Sequence, residues 1–450
     1  MKLSVVAHEI QGHLFGPDGD LPPVVIDSRK IQAGDFFVAL KGENLDGHEY
    51  IAQAINAGAK AILAQRAPQT ELEKNVTFIQ VEDTTTALGL LGALWRKRFS
   101  IPVVGLTGSC GKTTVKGMIA AICQQQGKTL HTQGNLNNHI GLPLTLLRLD
   151  PSIEYAVIEM GANHAGEIAY LGRIAKPTIA LITNVKPAHL QGFKTEQGVA
   201  QAKGEIYDIL PANGIALVNV DEQFGDYWRT IIGDRKTITF GLKNEAMVYA
   251  SDIHLQPFQV QFTLRYAGNQ QQVQIPIPGE HTVINALAAA AAGIALGIAL
   301  PKIVDGLQAF ESVKGRLRRL EGIKGAWIFD DTYNANPGSM QAALEVLARC
   351  PGHTVFVMGD MGELGENTVT YHAQIGDFAR QKGIQKLLAV GNLSKHAVEA
   401  FGPGALLYPD KQSLVNELRE QMTAESVVLV KGSRSAGMEV IANALIAQEE

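Results

Sequence analysis

The stretch IPVVGLTGSCGKTTVKG, residues 101–117, runs from apolar residues through a glycine-rich turn into a helical pattern, and its reading decides the fold. A strand feeding such a turn and then a helix is the setting of a phosphate-binding loop. Backbone N–H groups and the helix N-terminus cradle phosphates there, and Gly108 and Gly111 permit close backbone approach. Ser109, Cys110 and Thr114 complete the loop, Lys112 neutralises β- and γ-phosphate charge, and the Thr113 hydroxyl is placed for Mg²⁺. The commonest spacing puts a glycine five residues before the GK glycine, and Leu106 stands there instead. That departure argues against an ordinary GTPase or motor loop. So does the lack of an NKxD base-reading motif, which TNVKPAH at 183–189 only partly imitates.

Outward from this loop, buried-strand runs recur with helical segments between them: YAVIEMG (155–161), TIALITNV (178–185) and GIALVNVD (214–221). A β-rich patch over about 248–278 and an Ala-rich run from Ala286 to Leu300 follow. In the last section WIFDD, TVFVMGD, KLLAVG, ALLYPD and SVVLVKG alternate with helical segments near 339–349, 369–382, 394–401 and 412–421. Such alternation predicts a parallel, doubly wound, Rossmann-like sheet. The first hundred residues alternate shorter β-rich runs (VVIDSR, DFFVAL, AILAQR, TFIQVED) with a helix around Ile51 to Gly58. The expected fold class is α/β in three domains: a small N-terminal α/β domain (1–99), a central phosphate-loop domain on a mainly parallel sheet (100–313) and the C-terminal Rossmann-like domain (314–450).

Composition narrows the function. A chain of 450 residues fits several domains, each large enough to bury a core. With Lys+Arg 39 against Asp+Glu 44 the net charge is -5, so no basic field recruits nucleic acid and a small-molecule partner is expected. The Ala286–Leu300 run falls short of the roughly 18–20 residues that span a bilayer, and reads as a buried helix. The first residues lack a signal peptide's apolar region. Cys110, Cys123 and Cys350 are too few for a disulfide framework and have no metal-ligand spacing, which places the chain in a reducing cytoplasm. Monomer is the default expectation for its oligomeric state.

Open parallel sheets bind ligands at the carboxyl ends of their strands, and polar residues concentrate there: DDTYNANPGS (330–339), GDMGELG (359–365) and KGSRSAG (431–437). Glu159 ends the strand beside the loop, where a carboxylate suits Mg²⁺. His189 follows a third strand on the same sheet edge and is expected to serve a metal or phosphate. Lys203, on a predicted helix, is by pattern alone a solvated lysine. Thr282 in PGEHTVINALAAA reads as an N-cap, which puts Asn285 on the first turn of the buried helix. Support of the cap and contact with a ligand are both open for Asn285.

Taken together, TGSCGKTT, the segment from Glu159 to Asn163, Asn184 with His189, the AKGEI helix at Lys203, GEHTVIN to Asn285, Gly315–Arg316 and DDTYNANP resemble the Mur ligases, over essentially the whole chain and in the expected order. DDTYNANPGS, VMGDMGELG and KGSRSAGME resemble the branch that adds D-alanyl-D-alanine. The short loop with Leu106 is the form this family uses. The resemblance implies ATP-dependent amide formation: the terminal carboxylate of UDP-N-acetylmuramoyl-tripeptide takes the γ-phosphate, and the D-Ala-D-Ala amine then displaces phosphate. It further implies that Lys112, Thr113 and Glu159 serve the nucleotide and a first Mg²⁺. His189 and Lys203 serve a second, with Lys203 converted to a carbamate. Asn285 and Asp331 are assigned to adenine and ribose, and Arg316 to phosphates. Ser28, Arg29, Lys41 and Gly42 match the uridine-nucleotide segment. Asn137, Asn138, Asn334, Asn336, Lys431 and Arg434 are candidates for the peptide, dipeptide or acyl phosphate end. Thr282 departs from the asparagine frequent after that histidine. Two rivals remain: a folylpolyglutamate-synthase-like ligase, against which the N-terminal segment speaks, and a nucleotide-switched binding protein, against which Glu159, His189 and Lys203 speak.

Overall fold

The structure, a computed structural model, describes residues 1–187 and 190–447. Three sheets follow one another along the chain. The first holds β1 (His13–Phe15), β2 (Val24–Val25), β3 (Phe36–Val38), β4 (Ala61–Ala64) and β5 (Thr77–Gln80) in the order β1-β5-β4-β3-β2. Only β1 runs antiparallel. The run VVIDSR yields just two strand residues, because Asp27 accepts the Arg29 N–H and turns the chain into a 3₁₀ segment over Ser28–Lys30.

The central sheet holds β6 (Val103–Thr107), β7 (Thr129–His131), β8 (Tyr155–Glu159), β9 (Ile179–Ile182), β10 (Ile215–Asn219), β11 (Lys236–Gly241), β12 (Val248–Leu255), β13 (Val260–Tyr266) and β14 (Asn269–Ile275). Its order is β14-β13-β12-β11-β10-β9-β6-β8-β7, with only β12–β13–β14 antiparallel. Helices cover both faces, which is why its strands read as unbroken apolar runs. Val104, Leu106, Ile179 and Leu181 pack on one face, and Val103, Ala180 and Ile182 on the other. The Ala-rich run forms the helix Glu280–Ala295 against the loop helix Lys112–Gln124 and stops before Gly297, where the backbone turns left-handed at φ +74°. Its alanines allow close approach, and a Cβ on Gly293 would meet Ile303 at 2.9 Å and Ile122 at 3.0 Å. Among the described residues no helix is long and apolar enough to cross a membrane.

The third sheet holds β15 (Arg318–Glu321), β16 (Trp327–Asp331), β17 (His353–Gly359), β18 (Lys386–Val390), β19 (Ala405–Tyr408) and β20 (Ser426–Lys431) in the order β15-β16-β20-β17-β18-β19. All its pairings are parallel except β15–β16, and helices pack on both faces. The central and C-terminal sheets share one apolar cluster, which holds Val283 and Leu287 together with Met340, Leu344 and Leu347. At its margin the β12–β13 turn presents Phe258 to Trp327 and Phe329, with ring centroids 5.6 and 6.1 Å away. The helix Thr84–Arg96 joins the first two units. Leu91 lies in the N-terminal core, while Trp95 Nε1 and Arg96 Nε donate to the Leu149 and Ala175 carbonyls of the central unit.

Candidate active site

After β6 the chain turns at Gly108, with φ +152°, and a Cβ there would lie 1.8 Å from Thr183 Oγ1. Gly111, at φ +79°, caps the loop helix, and a Cβ there would lie 2.8 Å from Asn285 Oδ1. No other residue fits either position without displacing a neighbour. The helix N-terminus opens into a cavity of about 1260 Å³ that is walled by the central and C-terminal units.

The segment after β9 holds the loop in shape. Asn184 accepts the Ser109 N–H on its carbonyl at 3.0 Å. Its side chain accepts the Cys110 N–H at 2.9 Å and donates to the Cys110 carbonyl at 3.0 Å. Thr183 Oγ1 donates to the same carbonyl at 2.7 Å. Ser109 Oγ accepts the Lys186 N–H at 3.0 Å and donates to the Lys186 carbonyl at 3.1 Å. Behind this segment Glu222 accepts the Val185 N–H at 3.1 Å, and burial pushes its carboxyl above the ordinary range.

Lys112 Nζ donates to the Gly108 carbonyl at 2.7 Å; burial lowers its pKa. Glu159, at the end of β8, is 2 % exposed. Its Oε1 accepts from Asn137 Nδ2 at 2.9 Å and from Thr113 Oγ1 at 3.4 Å. Its Oε2 has no hydrogen-bond partner among the described residues and lies 3.6 Å from Lys116 Nζ. Lys203 is 2 % exposed on the helix Glu196–Asp208. Burial, reinforced by the charge of Lys112, lowers its pKa well below the usual lysine value. The solvated lysine that the pattern suggests is therefore corrected: Val199, Ala200, Ala202 and Ile206 bring that helix face into the core. His189 lies outside the described residues.

The C-terminal unit closes the cavity from the opposite side. Arg316 Nη2 donates to Thr113 Oγ1 at 3.5 Å, and Asn336 Nδ2 reaches Cys110 Sγ at 3.2 Å. Asp331, at the end of β16, accepts the Leu317 N–H at 3.0 Å on one oxygen and Lys431 Nζ at 2.6 Å on the other. Lys431 also donates to the Asn334 carbonyl at 2.9 Å. Asn336 caps the helix Pro337–Leu347 through a reciprocal bond with Ser339.

Ser109, Cys110, Gly111, Lys112, Thr113, Thr114, Asn137, Asn138, Glu159 and Asn285 therefore line one cavity with Arg316, Asp331, Asn334, Asn336, Lys431 and Arg434. Gly108 and Lys203 are not among the residues that line it. Ser28, Arg29, Lys41 and Gly42 sit apart on the N-terminal unit, where Arg29 is engaged by Asp27 at 2.8 and 3.0 Å. Thr282 is not the N-cap. Gly279 is, and Thr282 Oγ1 instead donates to the Pro278 carbonyl at 2.8 Å, which moves Asn285 to the second helical turn. Asp360 of GDMGELG serves structure, accepting from Leu393 N, Ser394 N and Ser394 Oγ. Sequence reasoning gave no role to Asn184, Lys116 or Tyr333. For Asn184 the signal was present, since it follows β9 beside the loop with only Thr183 between.

A glycine-rich loop at the edge of a parallel sheet, with a buried carboxylate beside it and an arginine supplied across a domain junction, defines a phosphate-loop nucleotide enzyme that works between two domains. Three family models match the chain in order. They are the Mur ligase family catalytic domain over residues 23–96, the Mur ligase middle domain over 106–293, and the Mur ligase glutamate ligase domain over 315–434. The chain is 44% identical over 448 residues to UDP-N-acetylmuramoyl-tripeptide--D-alanyl-D-alanine ligase of Escherichia coli strain K12, which covers 99% of this chain and 98% of that relative. Among solved structures it is similar to MurF from Acinetobacter baumannii, with TM-score 0.92 and 36% identity over 98% of this chain and 97% of that one. It is also similar to MurF ligase from Thermotoga maritima in complex with ADP, with TM-score 0.84 and 29% identity over 94% and 97% of the two chains. The chain belongs to the Mur ligase family.

Proposed function

We propose that this protein is an ATP-dependent amide ligase that joins D-alanyl-D-alanine to UDP-N-acetylmuramoyl-tripeptide, giving the UDP-pentapeptide, ADP and phosphate in cytoplasmic synthesis of peptidoglycan precursors. The observation that carries the reading is the meeting, in one cavity, of the loop residues Lys112 and Thr113, the buried Glu159 and the junction residue Arg316. In this reading the N-terminal unit, to about residue 99, holds the UDP end through Ser28, Arg29, Lys41 and Gly42. The central unit, to about residue 313, holds ATP, and the remainder holds the dipeptide.

A carboxylate is a poor acyl donor, so activation comes first. A carboxylate oxygen of the tripeptide attacks the γ-phosphorus, the bond to ADP breaks, and an acyl phosphate forms. The dipeptide amine then attacks the carbonyl carbon, phosphate leaves with that oxygen, and the amine loses a proton. Positioning and charge neutralisation dominate such transfers. Loop N–H groups and Lys112 hold the phosphates, and Arg316 reaches them from the junction. Asn285 and Asp331 serve the nucleoside. Asn137, Asn138, Asn334, Asn336, Lys431 and Arg434 serve the peptide ends.

Bound Mg²⁺ would neutralise charge that builds on the β- and γ-phosphate oxygens. The residues fit such an ion: Glu159 Oε2 is buried without a hydrogen bond among the described residues, 3.6 Å from Lys116 Nζ, and the Thr113 hydroxyl sits on the same carboxylate. His189 and Lys203 are assigned to a second ion. Only a neutral amine adds to CO₂, forming an N–C bond and releasing a proton, and burial shifts Lys203 toward that state by lowering its pKa. The carbamate anion would suit a divalent cation.

The test follows phosphate release from ATP with UDP-MurNAc-tripeptide, with and without D-Ala-D-Ala, alongside the pentapeptide by mass spectrometry. Phosphate matched by pentapeptide supports the ligase. Turnover indifferent to both substrates favours a nucleotide switch instead.

A further inference from the structure

Arg316 sits at the junction of the central and C-terminal units, half-buried, with no carboxylate partner among the described residues. Its Nε is buried and makes no hydrogen bond there, and a single Nη2 contact to Thr113 Oγ1, at 3.5 Å, is long. A mobile cation in that state would sample many rotamers. What fixes it is an aromatic face: the guanidinium carbon lies 4.0 Å from the ring centroid of Tyr333. The backbone that carries the ring is tied to the arginine's own segment, because the Tyr333 N–H donates to the Gly315 carbonyl at 3.1 Å and a Cβ on Gly315 would lie 3.1 Å from the Tyr333 Cβ. Gly315 and Arg316 are adjacent, so ring and guanidinium leave two segments that this hydrogen bond holds side by side. Arg434, from the loop after β20, lies 6.0 Å from the same ring.

The chemistry of that arrangement is specific. A carboxylate partner would fix an arginine but occupy its N–H donors, leaving fewer for an incoming anion. A π face orients the guanidinium plane by cation–π attraction and takes no donor. We propose that Tyr333 is a positioning residue that holds Arg316 in plane, with its donors unspent apart from the long Nη2 contact to Thr113, ready for the phosphoryl oxygens of the nucleotide. This rests on the nucleotide reading above. It extends that reading to Tyr333, a cavity-lining residue that acts through the arginine.

The test uses the full chain with Tyr333→Phe, Tyr333→Leu, Arg316→Ala and the Tyr333→Leu/Arg316→Ala pair. Affinity for AMP and for a non-hydrolysable ATP analogue is measured by calorimetry with Mg²⁺, beside ligation rate. Tyr333→Phe keeps the ring and should stay within about threefold in every measurement. Tyr333→Leu should weaken the ATP analogue and the ligation rate tenfold or more while AMP affinity stays within about twofold. In the Arg316→Ala background it should add less than twofold, since residues acting as one unit are not additive. Tyr333→Met replaces Tyr333→Leu if the latter fails to fold. Additive losses, an equal loss of AMP affinity, or a Tyr333→Phe variant as damaged as Tyr333→Leu would each overturn the proposal. A wild-type chain that does not bind the analogue would overturn it together with the nucleotide reading.

Discussion

Replacing Asn184 by alanine should loosen the phosphate loop without altering the sequence of the loop itself. The side chain makes two hydrogen bonds to Cys110, accepting its N–H at 2.9 Å and donating to its carbonyl at 3.0 Å. The carbonyl keeps the Thr183 hydroxyl at 2.7 Å, so its loss is one ordinary bond, about 1 kcal/mol. The N–H loses its acceptor. An unpaired buried donor costs about 1–3 kcal/mol, and the lower figure applies because Cys110 lines the cavity and water reaches it. The sum is roughly 2 kcal/mol, or about 30-fold in the population of the ordered loop at 1.4 kcal/mol per tenfold. Calorimetric titration with Mg-ADP should show affinity falling tenfold or more, approaching that bound, with the rest of the fold intact by circular dichroism. Asn184→Asp keeps the acceptor but sets a carboxylate against the Cys110 carbonyl and should bind no better than the alanine variant. Affinity within threefold of wild type in the alanine variant would refute the bracing role.

Gly108→Ala places a methyl group 1.8 Å from Thr183 Oγ1 at a backbone angle of +152°, so nucleotide affinity should fall by about a hundredfold or more in the same titration. Lys203→Met should abolish ligation yet melt at the same or a higher temperature at neutral pH, because it removes a buried amine that resists charging. The sign follows from linkage. The unfolded state binds the extra proton between the lowered native pKa and about 10.4, so wild-type stability gains from Lys203 as pH rises through that window. In the N-terminal unit Glu73 is held at a pKa of about 2, first by Arg66, whose two amino groups each lie 2.8 Å away. A carboxyl lowered from 4.5 contributes about 3 kcal/mol above pH 4.5, and that contribution is lost as pH falls toward 2. Urea melts of Glu73→Gln should be about 2–3 kcal/mol less stable at pH 7 and should converge on wild type near pH 2.

The parts of the fold that the sequence made legible are those whose burial is total. β6, β8, β9, β16, β17 and β20 are covered on both faces, so they stand out as apolar runs, and the polar residues that follow them mark the sheet edge where the cavity lies. Short edge elements were not legible. β15 is exposed and charged, RRLE, and has no apolar signature to read. The Thr282 cap failed because a threonine hydroxyl has two local uses, and Gly279, at φ +99°, ends the preceding segment first. The burial of Lys203 was hidden because its helix also carries Glu196, Glu205 and Asp208, and pattern alone does not say which turn faces the core. Tyr333 was invisible as a positioning residue, since its partner Arg316 is seventeen positions away and meets it only through the turn at Gly315.

The most direct measurement follows an oxygen atom. UDP-MurNAc-tripeptide labelled with ¹⁸O in its terminal carboxylate is incubated with the protein, Mg-ATP and D-Ala-D-Ala, and the released phosphate is analysed by mass spectrometry. Activation of the carboxylate at the γ-phosphorus predicts one ¹⁸O in phosphate for each pentapeptide formed. Pentapeptide accompanied by unlabelled phosphate would contradict it, because the acyl group would then have been activated without ever bonding to phosphorus.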